Sequence, residues 1–317
     1  MMADYSEFHA ELRSVACDVL AKERTVAWPV LVDAGWVGLE VPEHLGGAGA
    51  TFAEVALICE EMGRAASATS FLGSAVLALG LVNALQPGDT RDQLLTDIAS
   101  GAMRVAVALE PLDYVPDAEG AERILMLDGD TVVETAATVT PQPVLDETRR
   151  LAAVVPGAVV ETHRLAGDPQ VQIRRVHDRA AVAIACDSLG VAQAMLAATV
   201  AYVKVREQFG RPIGSFQAVK HACADMHVAI AVSRQLVSAA VQAVADDRPE
   251  AGVAAAMAKS YTCGAAVDVV GKAMQLHGGI GYTWESGIHV YLKRAALNRS
   301  LFGSPATYRK ELAQRYR

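Results

Sequence analysis

The chain has 317 residues, 52% of them hydrophobic and 20% charged, and its 28 basic and 36 acidic residues leave a net charge of −8. That apolar content excludes a disordered chain and, at this length, allows two or three domains. The acidic balance argues against nucleic-acid or anionic-membrane partners, which call for basic patches.

At the N-terminus, Asp4, Glu7 and Glu11 are unlike the basic start of a secretory signal peptide. The first third then reads as short amphipathic helices. Val41 to Gly49 is a turn, and Thr51 with Glu54 forms a capping box. Behind that box, Phe52, Val55, Ala56, Cys59 and Met62 recur at helical spacing. Phe71 to Leu85 is another apolar helix, closed by Pro87-Gly88, and a further capping box is expected at Thr90–Gln93.

From about Met103 to Arg175 the character changes. Short runs rich in Val and Thr (Val105–Leu109, Arg123–Leu127, Thr131–Val133, Leu151–Val155, Val171–Arg174) are separated by Gly, Pro and Asp, which predicts a small β-domain. The last third returns to helix. Asp178–Arg206, Ser215 to about Ala245 and Ala251–Leu276 are long, and Gly287–Arg299 and Pro305–Arg315 are short. Long helices with short connections predict an antiparallel four-helix-type bundle. The expected fold is therefore α+β and mostly α: an N-terminal helical domain (1–101), a central β-domain (102–177) and a C-terminal bundle (178–317). Within the bundle, Ala180–Val203 is the most apolar stretch. Asp187, Ser188 and Gln193 interrupt it, which predicts a buried core helix and no membrane span.

Five cysteines without a CxxC pair are expected to be reduced thiols in a cytoplasmic protein. Eight histidines without HExxH spacing or neighbouring cysteines give no metal-site expectation, and no GxSxG elbow is present. His221 and His227 are six apart and fall on different helix faces. Leu45-Gly46-Gly47-Ala48-Gly49 lacks a P-loop ending and reads as a helix–helix turn. By contrast, His277-Gly278-Gly279-Ile280-Gly281 holds more glycines than a helix C-cap needs, which suggests close approach to the backbone. Tyr202 to Gly214 ends one long helix and sets Arg206 and Arg211 beside Phe209, a pattern suited to a phosphate and an aromatic base.

On these last segments the chain resembles the acyl-CoA dehydrogenase family. Gly35-Trp36-Val37-Gly38-Leu39 with Pro42-Glu43-His44-Leu45-Gly46-Gly47, and Glu60-Glu61-Met62-Gly63-Arg64, are similar to the family's N-terminal segments. Arg206-Glu207-Gln208-Phe209-Gly210-Arg211-Pro212-Ile213 with Phe216-Gln217, and Gln275-Leu276-His277-Gly278-Gly279-Ile280-Gly281-Tyr282, are more specific matches. The resemblance spans nearly the whole chain and implies oxidation of an acyl-CoA thioester between its α and β carbons, with FAD taking the β hydride. It implies that Arg206 meets the FAD pyrophosphate, that Gln208 adds a hydrogen bond and that Phe209 and Ile213 pack near the adenine. Gln275, Gly278 and Gly279 would hold the ADP portion of an FAD whose flavin rests on a neighbouring subunit.

The departures carry as much weight. Where the family's catalytic Glu precedes a glycine, this chain has Leu301-Phe302-Gly303, and the alternative base position falls at Ala180. Neither side chain accepts a proton. The family's Thr-Glu-Pro loop, which ends in Gly-Ser, is reduced to Leu109-Glu110-Pro111-Leu112-Asp113-Tyr114. The chain thus resembles the base-less subunit of actinobacterial heteromeric (α2β2) steroid-CoA dehydrogenases. This implies no catalytic residue of its own and a second acyl-CoA dehydrogenase-like subunit that supplies the Glu and most of the CoA-thioester site. The FAD would be shared, and an electron-transfer acceptor would follow. Two alternatives remain at this point: a homomeric enzyme with a relocated base, for which Asp187 is the candidate, and a flavin-free scaffold.

Overall fold

A computed structural model describes residues 6–315; Asp4 of the N-terminal reading lies outside the described residues. The first helices are α1 (Ser6–Leu20), α2 (Trp28–Asp33) and α3 (Phe52–Ala65). The capping box is present: Thr51 Oγ1 accepts from the Ala53 amide at 3.1 Å, and Glu54 accepts from the Thr51 amide at 2.8 Å. Before it, Gly46 takes φ 86°, and a Cβ on Gly47 would lie 2.1 Å from the Val41 carbonyl oxygen. That turn is therefore glycine-rich because it folds onto itself.

The apolar run beginning at Phe71 is helical but not uniformly so. Leu72–Ala78 winds as a wide π-helix before α4 (Leu79–Asn83) continues it. The capping box expected at Thr90–Gln93 is absent. Helix α5 (Asp89–Ala99) starts one residue before Thr90, with Gly88 as its N-cap and Asp89 and Asp92 favouring its positive end.

The β-domain is two small sheets. In the first, β1 (Val105–Ala108), β3 (Arg123–Asp128), β4 (Thr131–Thr135) and β7 (Val159–Arg164) lie in the order β1-β3-β4-β7, parallel only between β1 and β3. In the second, β2 (Val115–Pro116), β6 (Leu151–Val155) and β5 (Thr138–Pro141) lie in the order β2-β6-β5. Ala106, Ala108, Ile124, Val115, Ala152 and Val154 close a separate core in this domain. β2, β5 and β7 escape sequence reading because they are short or half-exposed, so no hydrophobic run marks them.

Val171–Arg174, expected as a strand, is instead the opening of α6 (Pro169–Val205). Asp168 caps that helix by accepting from the Gln170 amide at 2.9 Å, and Pro169 sits at its first turn. The Asp-Pro pair is the decisive signal, and it outweighs the local alternation of Val171 and Ile173 with polar neighbours. Helices α7 (Gln217–Ala245), α8 (Ala251–His277), α9 (Ile288–Ser300) and α10 (Pro305–Gln314) complete the chain. Between α6 and α7, β8 (Glu207–Gln208) and β9 (Arg211–Pro212) form a minimal hairpin.

Helix α6 is the axis. Its middle, including Ala180–Cys186, is buried. Helix α3 approaches it so closely that both helices need glycine. A Cβ on Gly63 would fall 1.9 Å from the Asp187 carbonyl oxygen, and one on Gly190 would fall 1.9 Å from that of Glu60. Gly190→Ala is therefore expected to destabilise the fold by at least about 3 kcal/mol. Thermal denaturation checks this: an unchanged melting temperature would mean that α3 and α6 can separate without loss.

Candidate functional site

The C-termini of α6 and α8 lie side by side, with the Tyr202 and His277 rings stacked at 4.5 Å. His277 Nδ1 lies 2.7 Å from the Ala273 carbonyl oxygen, which holds the ring against its own helix. Two segments 70 residues apart in sequence thus form one surface. Arg206 caps α6, and its carbonyl receives the Ile213 amide at 2.7 Å, which fastens the base of the β8–β9 hairpin. At the tip Phe209 and Gly210 take φ 56° and 74°. Two successive left-handed residues make the turn that two-residue hairpins favour, and glycine suits it where phenylalanine does not.

Phe209 is 91% exposed, touching only the edge of Phe216 at 6.1 Å between ring centres. Arg211 covers that second ring at 4.2 Å. Arg206, Gln208 and Gln275 are exposed, and Ile213 is half-buried. Arg206 has no ion pair among the described residues.

The glycines after α8 separate by cause. Gly278 takes φ 61° and ψ −141°, a conformation essentially confined to glycine. Gly281 is packed, since a Cβ would lie 2.5 Å from the Met274 carbonyl oxygen. Gly279 has an ordinary φ, and its Cβ would meet nothing within 4 Å. Among the described residues nothing crowds position 279, so the backbone there is open. An exposed aromatic ring, an unpaired guanidinium and bare backbone on one surface suit an anionic ligand with an aromatic end.

Phe302 follows α9 in the left-handed region (φ 57°), packs partly against the core, and its carbonyl accepts from Tyr308 Oη at 2.7 Å. Ala180 is wholly buried in α6. Its neighbour Arg179 pairs with Glu40, lies over the Phe52 ring at 4.6 Å and donates to the Val76 carbonyl at 2.6 Å. The π-helix presents that carbonyl, and Gly80 leaves room for the guanidinium stem, 2.5 Å from where its Cβ would be.

Asp187, the candidate for a relocated base, is excluded by its surroundings. It is 2% exposed. Arg294 donates to both its oxygens at 2.9 and 2.5 Å, Arg149 donates at 3.0 Å and Asn298 at 2.6 Å. Burial by itself would raise this carboxyl; the charges of Arg294 and Arg149, with the hydrogen bonds from Arg294 and Asn298, outweigh it and hold it below the usual carboxylate range. A buried carboxylate held in this way by two guanidinium groups is a poor proton acceptor.

The family description "Acyl-CoA dehydrogenase, N-terminal domain" matches residues 6–102, and "Acyl-CoA dehydrogenase, C-terminal domain" matches residues 171–316. Among curated proteins, acyl-CoA dehydrogenase IpdE2 of Mycolicibacterium smegmatis is 36% identical over 280 residues, covering 88% of this chain and 84% of the relative. Among solved structures, a variant of the Tcur3481–Tcur3483 steroid ACAD superposes with a TM-score of 0.86 at 26% identity, covering 98% of this chain and 97% of the other. The ChsE4–ChsE5 complex from Mycobacterium tuberculosis gives 0.85 at 22% identity over 99% and 97%, a likeness of fold. The chain belongs to the acyl-CoA dehydrogenase family, whose members are oxidoreductases with FAD as cofactor.

Asp187→Asn is expected to cost about 3–5 kcal/mol, because it strands two buried guanidinium groups. The sign of the pH effect follows from the lowered carboxyl: its contribution is present above the unfolded carboxylate range, and is lost as pH falls through the folded value. Urea unfolding from neutral to acid pH checks both. A variant as stable as the wild type, with the same acid limb, would remove Asp187 from this role.

Proposed function

We propose that this chain is the base-less subunit of a heteromeric, FAD-dependent acyl-CoA dehydrogenase acting on a steroid-derived CoA thioester. The observation that carries the reading is an asymmetry within the chain. Neither family base position holds a carboxylate: Phe302 and Ala180 stand there, and the nearby Asp187 is locked. Meanwhile the surface of Arg206, Phe209 and Gly279 is open and faces outward. The naming of IpdE2 as an acyl-CoA dehydrogenase, of the Tcur3481–Tcur3483 protein as a steroid ACAD and of ChsE4–ChsE5 as a complex supports the substrate class and the two-chain assembly.

In this reading Arg206 neutralises a pyrophosphate charge, and Gln208 adds a hydrogen bond. Phe209 and Ile213 give the adenine an apolar seat. Gln275 with the bare backbone at Gly278 and Gly279 grips the ADP portion, where any side chain at 279 would stand in the way. When bound, FAD accepts the β hydride; the α proton goes to a Glu of the partner subunit, because this chain has no acceptor in place. The exposed Val228 and Val232 of α7 and Met257 and Tyr261 of α8 supply apolar surface for burial between subunits. The five free thiols agree with a cytoplasmic setting.

Flavin content decides the matter. The lone chain is expected to retain little flavin, and the chain co-purified with a partner dehydrogenase subunit about one flavin for every two chains. Within the complex, Arg206→Ala removes a charge-assisted contact worth roughly 1.5–3 kcal/mol and should weaken flavin retention at least tenfold. Stoichiometric flavin and turnover by the lone chain would overturn the proposal. A complex whose flavin content ignores Arg206→Ala would make the chain a scaffold.

A further inference from the structure

The histidine spacing in the sequence gives no reason to expect a metal, yet the first sheet assembles a ligand set that spacing cannot reveal. In β4 and β7, Glu134 and Glu161 are direct cross-strand partners. His163, two residues along β7 and on the same face, lies diagonally from Glu134. One carboxylate oxygen of each glutamate and a ring nitrogen of His163 lie within 4.8 Å of one another.

Like charges set directly opposite on paired strands repel, and an apolar or opposite-charge pair would serve the sheet better. Arg123 answers only part of this: its Nη1 donates to Glu134 Oε2 at 3.0 Å and leaves the second oxygen and the whole of Glu161 uncompensated. Independently, His163 is 8% exposed, and its Nε2 is buried without a hydrogen-bond partner. Leaving such a nitrogen unsatisfied costs free energy, and a cation among the imidazole and the two carboxylates would answer both the orphan and the like-charge pair.

We propose that Glu134, Glu161 and His163 bind a divalent transition-series cation of the Zn2+ type. An imidazole with two carboxylates suits such an ion, whereas Mg2+ and Ca2+ prefer oxygen alone. Ligand atoms about 2.0–2.2 Å from a tetrahedral ion stand roughly 3.3 Å apart, so the three groups need draw together by no more than about 1.5 Å. Glu161 is only half-buried, which gives the ion a path in and leaves its fourth position to water. The ion would fasten β7, the edge strand, to β4 beside the bulge at Glu134/Thr135. That strand feeds the chain into α6, so the site would clamp the edge of the sheet just before the bundle axis begins.

The test uses the full chain carrying Cys17→Ser and Cys223→Ser, which removes the two thiols that are not buried. After chelator treatment the protein is dialysed to equilibrium against micromolar Zn2+, and its metal content and melting temperature are read. About one Zn2+ per chain and a raised melting temperature are expected. His163→Ala and Glu161→Gln should each weaken binding by more than about tenfold and abolish the thermal shift. Glu161→Gln lies at the half-exposed edge and keeps the test decisive if His163→Ala fails to fold. Absence of saturable binding, or binding that both variants leave intact, would overturn the site.

Discussion

The buried carboxylate of Asp187 is the constraint on which the rest of the molecule depends. It sits on the central helix and takes hydrogen bonds from Arg294 and Asn298 of α9 and from Arg149 of the loop before β6. Arg294 goes on to donate to the Ser67 carbonyl, just beyond α3, at 2.7 Å and to Thr148 Oγ1 at 2.8 Å. One ionic cluster therefore ties the N-terminal helices, the β-domain and the bundle together. Asp187, Arg294 and Asn298 are buried and Arg149 is nearly so, and the cluster contributes mainly by specifying one arrangement; the loss of a buried partner leaves a charge that the interior cannot solvate.

The cluster stands where it does because α3 and α6 touch backbone to backbone. Gly63 and Gly190 bring the Asp187 segment against α3, and α9 closes from the other side. Nearby, the π-helical stretch turns carbonyls toward Arg179, which would otherwise be a second buried cation with too few partners. Lys259, fully buried on α8, is likewise held by the Asn298 carbonyl at 2.5 Å. The interior between helices and β-domain thus holds charged groups whose main partners are one another or backbone carbonyls.

The outward surfaces follow the opposite logic. At the ends of α6 and α8 an exposed arginine, an exposed phenylalanine in a left-handed conformation and an open glycine backbone lie on the surface. The same helices carry both the interior charges and this surface: α6 holds Asp187 at its middle and Arg206 at its end, and α8 holds Lys259 at its middle and Gly278 at its end.

The sequence by itself determined the helix–sheet–helix order, the capping box at Thr51 and the long helices of the last third, since these rest on local periodicity and capping chemistry. It also placed Phe302 and Ala180, neither a carboxylate, at the positions aligned with the family's base. Only the tertiary structure decided the rest. The π-helix and the weak strands β2, β5 and β7 depend on what packs against them. That Asp187 is locked, that Gly281 is packed while Gly279 is open, and that Glu134, Glu161 and His163 converge are facts of three-dimensional placement. Residues from different helices and strands meet there, and no spacing along one strand of sequence encodes the burial and pairing that set their chemistry.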